Sequence, residues 1–153
     1  MKPFTVPRLL VLTLLSFFTT TFHIYAQTTW TGTVSTAWNT AANWSAGVPN
    51  SADDVTIPNV ANDPVITTSS AVAKSVSLQT GGLLTVGAAG VLSINASSIV
   101  AFTNQGTVNN NGTINIGNTA DIATHGLGNS GTFNNNSGAK LNIDRVPLVD
   151  QIA

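Results

Sequence analysis

Cysteine is absent from the 153 residues. This excludes a disulfide framework, a thiolate nucleophile, a zinc–thiolate centre and a cysteine-linked lipid anchor. Charge is scarce too. Charged residues make up 7% of the chain, against about 25% in an ordinary soluble domain. Five Lys and Arg face six Asp, no Glu occurs, and the net charge is -1. With so few cations there is no basic patch to displace counterions from phosphates, so a charge-driven nucleic-acid binder is excluded. No stretch sets apolar residues at helical spacing among good helix formers, and the only helix expected is at the N-terminus. What the chain does have is 42% hydrophobic residues and 13 Gly, with Asn, Thr and Ser supplying the polarity. Such a composition suits one β-rich extracellular domain.

The first 26 residues read as a helical secretory signal peptide. Lys2 and Arg8 form a basic start, and Leu9 to Phe18 is an apolar core broken at Thr19. That run is shorter than the roughly 20 residues a membrane span needs. Ile24-Tyr25-Ala26 ends in a small residue, so cleavage is expected between Ala26 and Gln27, leaving no membrane anchor. Cleavage leaves Lys74, Lys140 and Arg145 as cations and His125 as the one histidine.

Two composition zones follow. Residues 27–64 hold all three tryptophans: Trp30-Thr31-Gly32, Trp38-Asn39 and Asn43-Trp44, then Gly47-Val48-Pro49 and Asp53-Asp54-Val55-Thr56-Ile57-Pro58. Alternation at Val55 and Ile57 predicts a short strand stopped by Pro58. Residues 65–153 carry an internal repeat. NQGTVNNNGTINIG at 104–117 returns as NSGTFNNNSGAKLNID at 129–144, 25 residues on, and looser copies begin at Gly82 and Gly90. The shared unit is Gly-x-apolar-x-apolar, a short strand with one buried face between Gly and Asn corners. A period of about 20–25 residues of this kind predicts a stacked β-solenoid rather than a β-sandwich. Leu84, Val86, Leu92, Ile94, Ile114, Ile116, Leu141 and Ile143 are its expected interior. Asn109–111 and Asn134–136 hold equivalent repeat positions and are expected to stack as amide ladders at the roughly 4.8 Å strand spacing.

The Trp-x-Gly, Trp-Asn, Asn-Trp, Gly-x-Pro and Asp-Asp-Val-Thr-Ile series resembles the N-terminal region of long secreted repeat proteins of Bacteroidetes-type bacteria. The likeness covers residues 30 to about 144. It implies an all-β, right-handed parallel β-helix of the pectin-lyase-like or adhesin-like kind, displayed or secreted, with a role in adhesion or matrix contact. Such proteins run longer and often end in a sorting domain, whereas this sequence stops at Ala153 with Leu148, Val149 and Ile152 apolar. A truncated stack is therefore the expectation, with residues 27–64 as a tryptophan-rich cap on its first coil.

Candidate chemistry is thin. Trp30, Trp38 and Trp44 could stack on sugar rings, but they also sit where the first coil needs covering, and the core of a cap is the expectation. Asp53 and Asp54, with Asn59, Asn62 and Asp63, offer hard oxygens of the type Ca²⁺ takes. However, neither the nonapeptide repeat nor EF-hand spacing is present, so turn chemistry is expected instead and no cofactor is required. The enzymes that the resemblance brings in carry Gly-His-Gly and Arg-x-Lys motifs. Here His125 stands in Thr124-His125-Gly126, and Arg145 precedes Val146-Pro147. Acids between residues 65 and 144 are limited to Asp121 and Asp144, too few for paired carboxylates, and a non-enzyme is expected. Asn43, Asn95, Asn111 and Asn135 match the glycosylation sequon, which a bacterial source would leave unmodified. The expected partners are extracellular polysaccharide or a host or matrix surface.

Overall fold

The computed structural model describes residues 27–95, 100–117 and 126–143. The predicted signal peptide, Ala26, Asp121, His125, Asp144 and Arg145 lie outside them.

Strict alternation builds the strands. Asp54–Ile57 (β2), Ser75–Leu78 (β5), Leu83–Val86 (β6), Val91–Ile94 (β7), Thr107–Asn110 (β9) and Thr113–Ile116 (β10) each bury every second residue. Shorter strands complete the set: Gln27–Thr29 (β1), Val65–Ile66 (β3), Ala71–Ala73 (β4), Phe102–Asn104 (β8) and Leu127–Asn129 (β11). Thr132–Asn135 (β12) and Lys140–Ile143 (β13) come last. The only helical element among the described residues is the 3-10 turn Ala41–Asn43.

Among the described residues all pairs of named strands are parallel, and from β2 onward consecutive strands fall in different sheets. One sheet runs β1-β2-β5-β8-β11, a second β3-β6-β9-β12 and a third β4-β7-β10-β13. Each set of three consecutive strands from β2 onward is thus one turn, and the fold is a β-solenoid of about four turns. The composition break at Pro64 is not a break in this stack, because β2 lies before it and β3 after it in the same first turn.

The register stacks like on like. Ala71, Leu92, Ile114 and Leu141 form one inward column. Val55, Val76, Phe102 and Leu127 form another. From Val55 to Ile116 these side chains are almost wholly buried. Two expected interior residues differ. Leu141 is half-buried and Ile143 is 43% exposed, because no described strand follows β13 to cover them.

Depth in the stack decides what an inward side chain contributes. Ile114→Ala is expected to cost about 2–5 kcal/mol in denaturant unfolding, as for a buried aliphatic. Ile143→Ala, the same chemistry at the last turn, is expected to cost about 1 kcal/mol or less.

Candidate functional site

The three tryptophans meet above the first turn. Trp30 continues β1, and its backbone N–H donates to Thr56 O at 2.9 Å. Trp44 pairs with Trp30 in an antiparallel bridge, and Ala37 beside Trp38 lies parallel to Val65. The Trp30 and Trp38 rings each lie edge-to-face against Trp44, with centroids 4.9 and 4.7 Å apart. Such contacts add to the large area each ring buries. The three are 0%, 2% and 5% exposed. A ring that shows no face to solvent shows none to a sugar. Trp30 Nε1 donates to Asn62 O and Trp44 Nε1 to Trp38 O, both at 2.7 Å. Trp38 Nε1 is buried with no hydrogen-bond partner among the described residues.

Asn43 holds the chain around these rings. Its Oδ1 accepts from the N–H groups of Val34 and Ser35, and its Nδ2 donates to Ser35 Oγ and Ala37 O, all at 2.9–3.0 Å. Every polar position of this fully buried amide is used, so it fixes a loop with no regular structure of its own. Residues 45–47 run along the outer edge of β1. Ser45 N–H donates to Thr29 O, and Ser45 Oγ accepts from Thr29 N–H. The outer edge of β1 is therefore covered.

The acidic candidates are engaged locally. Asp53 Oδ2 accepts from Asn50 N–H at 2.9 Å. Asp54 accepts from Lys74 Nζ at 3.0 Å and from Ser75 Oγ at 2.6 Å. Asp63 Oδ1 accepts from Leu83 N–H, and Asn62 Nδ2 donates to Gly32 O. Their oxygens thus face different neighbours rather than one centre. Among the described residues no three His, Cys, Asp or Glu side chains gather in a metal-holding group. An open groove along β10 and β13, about 570 Å³, is lined by Asn115, Ile116, Gly117, Leu141, Asn142 and Ile143. None of those side chains titrates.

The most specialised chemistry lies in two inward columns that change character midway. One column reads Ile57, Leu78, Asn104, Asn129. The other reads Ile66, Val86, Asn110, Asn135. Both are aliphatic in the first two turns and amide in the last two. Each stands at the end of its strand, where the chain turns a corner. In the second turn the corners take four residues, 79–82 and 87–90. They are closed by backbone bonds, Gly82 N–H to Gln79 O and Gly90 N–H to Gly87 O. In the third turn they take two residues, 105–106 and 111–112. There the asparagine side chain closes the corner, with Asn104 Oδ1 accepting from Gly106 N–H and Asn110 Oδ1 from Gly112 N–H, both at 3.1 Å. This is the local side-chain mimicry of a backbone turn for which Asn is favoured.

The amide nitrogens then bind the next turn. Asn104 Nδ2 donates to Asn129 Oδ1 at 2.6 Å and to Thr132 O at 3.0 Å. Asn110 Nδ2 donates to Asn135 Oδ1 at 2.7 Å and to Lys140 O at 3.0 Å. Both asparagines are wholly buried and have both amide hydrogens engaged. The glycine after each is needed for space. A Cβ on Gly112 would overlap the backbone oxygens of Gly87 and Gly90 stacked above it.

The expected amide ladders are present, at Asn109–Asn134, Asn110–Asn135 and Asn111–Asn136. The middle pair faces inward and the outer two face solvent. Two further ladders, Asn104–Asn129 and Asn115–Asn142, were not anticipated from the repeat. Their signal was present as asparagine at matching places in both copies.

Asn110→Ala leaves Gly112 N–H, Lys140 O and Asn135 Oδ1 without their partner. It is expected to cost roughly 2–4 kcal/mol in thermal or denaturant unfolding. Asn109→Ala, on the solvent side of the same strand, is expected to stay within about 0.5 kcal/mol of the parent. Asn110→Asp keeps the acceptor but, once ionised, loses both donors in a buried place. Burial raises its folded pKa, so the ionisation part of the penalty is absent below the unfolded aspartate value and grows as pH rises through the folded one. Unfolding curves at pH 3 and pH 7 are expected to show the larger loss relative to the parent at pH 7.

No curated protein matches the chain, and no solved structure does. A family model described as Domain of unknown function (DUF8693) matches residues 29–146, and the chain belongs to that family.

Proposed function

We propose that the protein is a secreted or surface-displayed, non-catalytic structural and interaction module of adhesin-like type. It is read as the head of a right-handed β-helix, capped by the tryptophan layer and released from its signal peptide between Ala26 and Gln27. The observation that carries this reading is where the polar side chains go. The inward asparagines join one turn to the next, and Asp53, Asp54 and Asp63 are engaged by local backbone, Lys74 and Ser75. What faces outward on the last two turns of one sheet is polar and uncharged. Asn109 over Asn134, and Thr107 over Thr132, repeat at the strand spacing on one sheet. An evenly spaced, uncharged polar face suits contact with an extended polysaccharide or a matrix surface, not a reaction that moves protons. No helix among the described residues is long and apolar enough to cross a membrane.

Expression with the native leader in a secreting bacterium is expected to give an extracellular product whose first residue is Gln27. The purified product is expected to be retained on immobilised polysaccharide or matrix material. Asn109→Asp with Asn134→Asp, which puts two negative charges on that face, is expected to weaken retention at least fivefold. Release of sugar fragments from pectin-like polymers, or no retention on any such surface, would overturn the proposal.

A further inference from the structure

The two ends of the described stack differ. At the first, β1 is covered by residues 45–47 and the tryptophan layer. At the last, no described strand follows β11, β12 or β13, and Phe133, Leu141 and Ile143 are only partly covered. An uncovered parallel edge pairs readily with another strand unless charge, proline or a bulge protects it. Among residues 126–143 the only charged side chain is Lys140, and there is no proline.

The amide columns give this end a direction. Because Asn104 Oδ1 accepts from Gly106 N–H, its Nδ2 points onward to Asn129 Oδ1. That leaves Asn129 with its Oδ1 engaged by the turn above and only its Nδ2 left to donate. The same holds from Asn110 to Asn135. In the turn above, each such amide donates across to the next turn at 2.6–3.0 Å. In the last turn the two amides fall back on their own corners, at 3.3 Å to Gly131 O and 3.4 Å to Ala139 O.

We propose that this end is a docking surface for a further parallel turn of polypeptide bearing asparagine at the two inward corner positions. Its two side-chain oxygens would accept from Asn129 and Asn135, and its backbone would pair with β11–β13. Its apolar residues would cover Phe133, Leu141 and Ile143. The partner is thus a segment of the Asn-x-Gly-Thr-apolar-Asn-Asn type with a free strand edge. The ten residues after Ile143 contain no asparagine. In an intact second copy the corresponding β1 edge is already covered by residues 45–47. The surface follows from amide geometry and does not depend on where the protein works.

The test repeats residues 104–117 after Ala153 in the full chain. From Ile143 to the first added asparagine is then 11 residues, between the 10 from Ile94 to Asn104 and the 13 from Ile116 to Asn129. Backbone amides of β11, β12 and β13 are expected to exchange at least tenfold more slowly than in the unextended chain. The gain is expected to vanish when the added copy carries Asn104→Ser and Asn110→Ser. Equal slowing with the serine copy would overturn the proposal, as would no slowing with either. So would slowing in the unextended chain that grows with protein concentration, which would mean that a second copy occupies the surface. Faster exchange after deletion of residues 144–153 would overturn it too, assigning the surface to the chain's own end.

Discussion

A turn of this protein buries nothing by itself. Its strands are three or four residues long in most places, and each finds its backbone partners in the turn before and the turn after. Its inward side chains likewise close a layer only when another layer lies on each side. Stability is then a sum over neighbouring layers, and the ends become the expensive places. The first end is solved by an irregular loop. Three tryptophans supply apolar area there and Asn43 supplies the bonds that hold the loop in shape. Residues 27–50, which hold these tryptophans, follow no period and look unlike the rest.

Within the stack, the second and third turns close their corners in different ways. Where Leu78 and Val86 end their strands, the corner needs four residues and closes on its own backbone. Where Asn104 and Asn110 hold the same columns, the corner needs two. Burying an amide costs several kcal/mol if its bonds go unmade, so the exchange is tolerable only with every bond in place. The column meets that condition because the turn below carries an asparagine at the same register. The amides therefore enforce register as the aliphatic columns do not. A slip by one residue would leave buried donors unpaired, whereas aliphatic layers would lose only packing.

Much of this was legible in the chain itself. The Gly-x-apolar-x-apolar units became β6, β7 and β10, and the 25-residue offset became the register of β9 on β12. The asparagine triplets stack as their repeat positions required. What could not be read is which asparagine faces inward. Three in a row occupy both faces of a strand, and alternation alone does not rank them. Asn104 looked like turn punctuation, and its burial follows only from its stacking below Leu78. The tryptophans were ambiguous for a similar reason: aromatic residues among turn residues suit either a cap or a sugar platform. Only their mutual edge-to-face contacts and their burial set the inward orientation. Ile143 had the pattern of a core residue and lacks only a neighbour.

The inward asparagines are the most direct point of attack on this description. Side-chain amide protons of Asn104 and Asn110 can be followed by nuclear magnetic resonance during exchange into heavy water. The structure requires them to persist far longer than those of Asn109 and Asn111, which lie next to Asn110 on the same chain but face solvent. Exchange of all four at the same fast rate would contradict the buried amide columns, and with them the register of the last two turns.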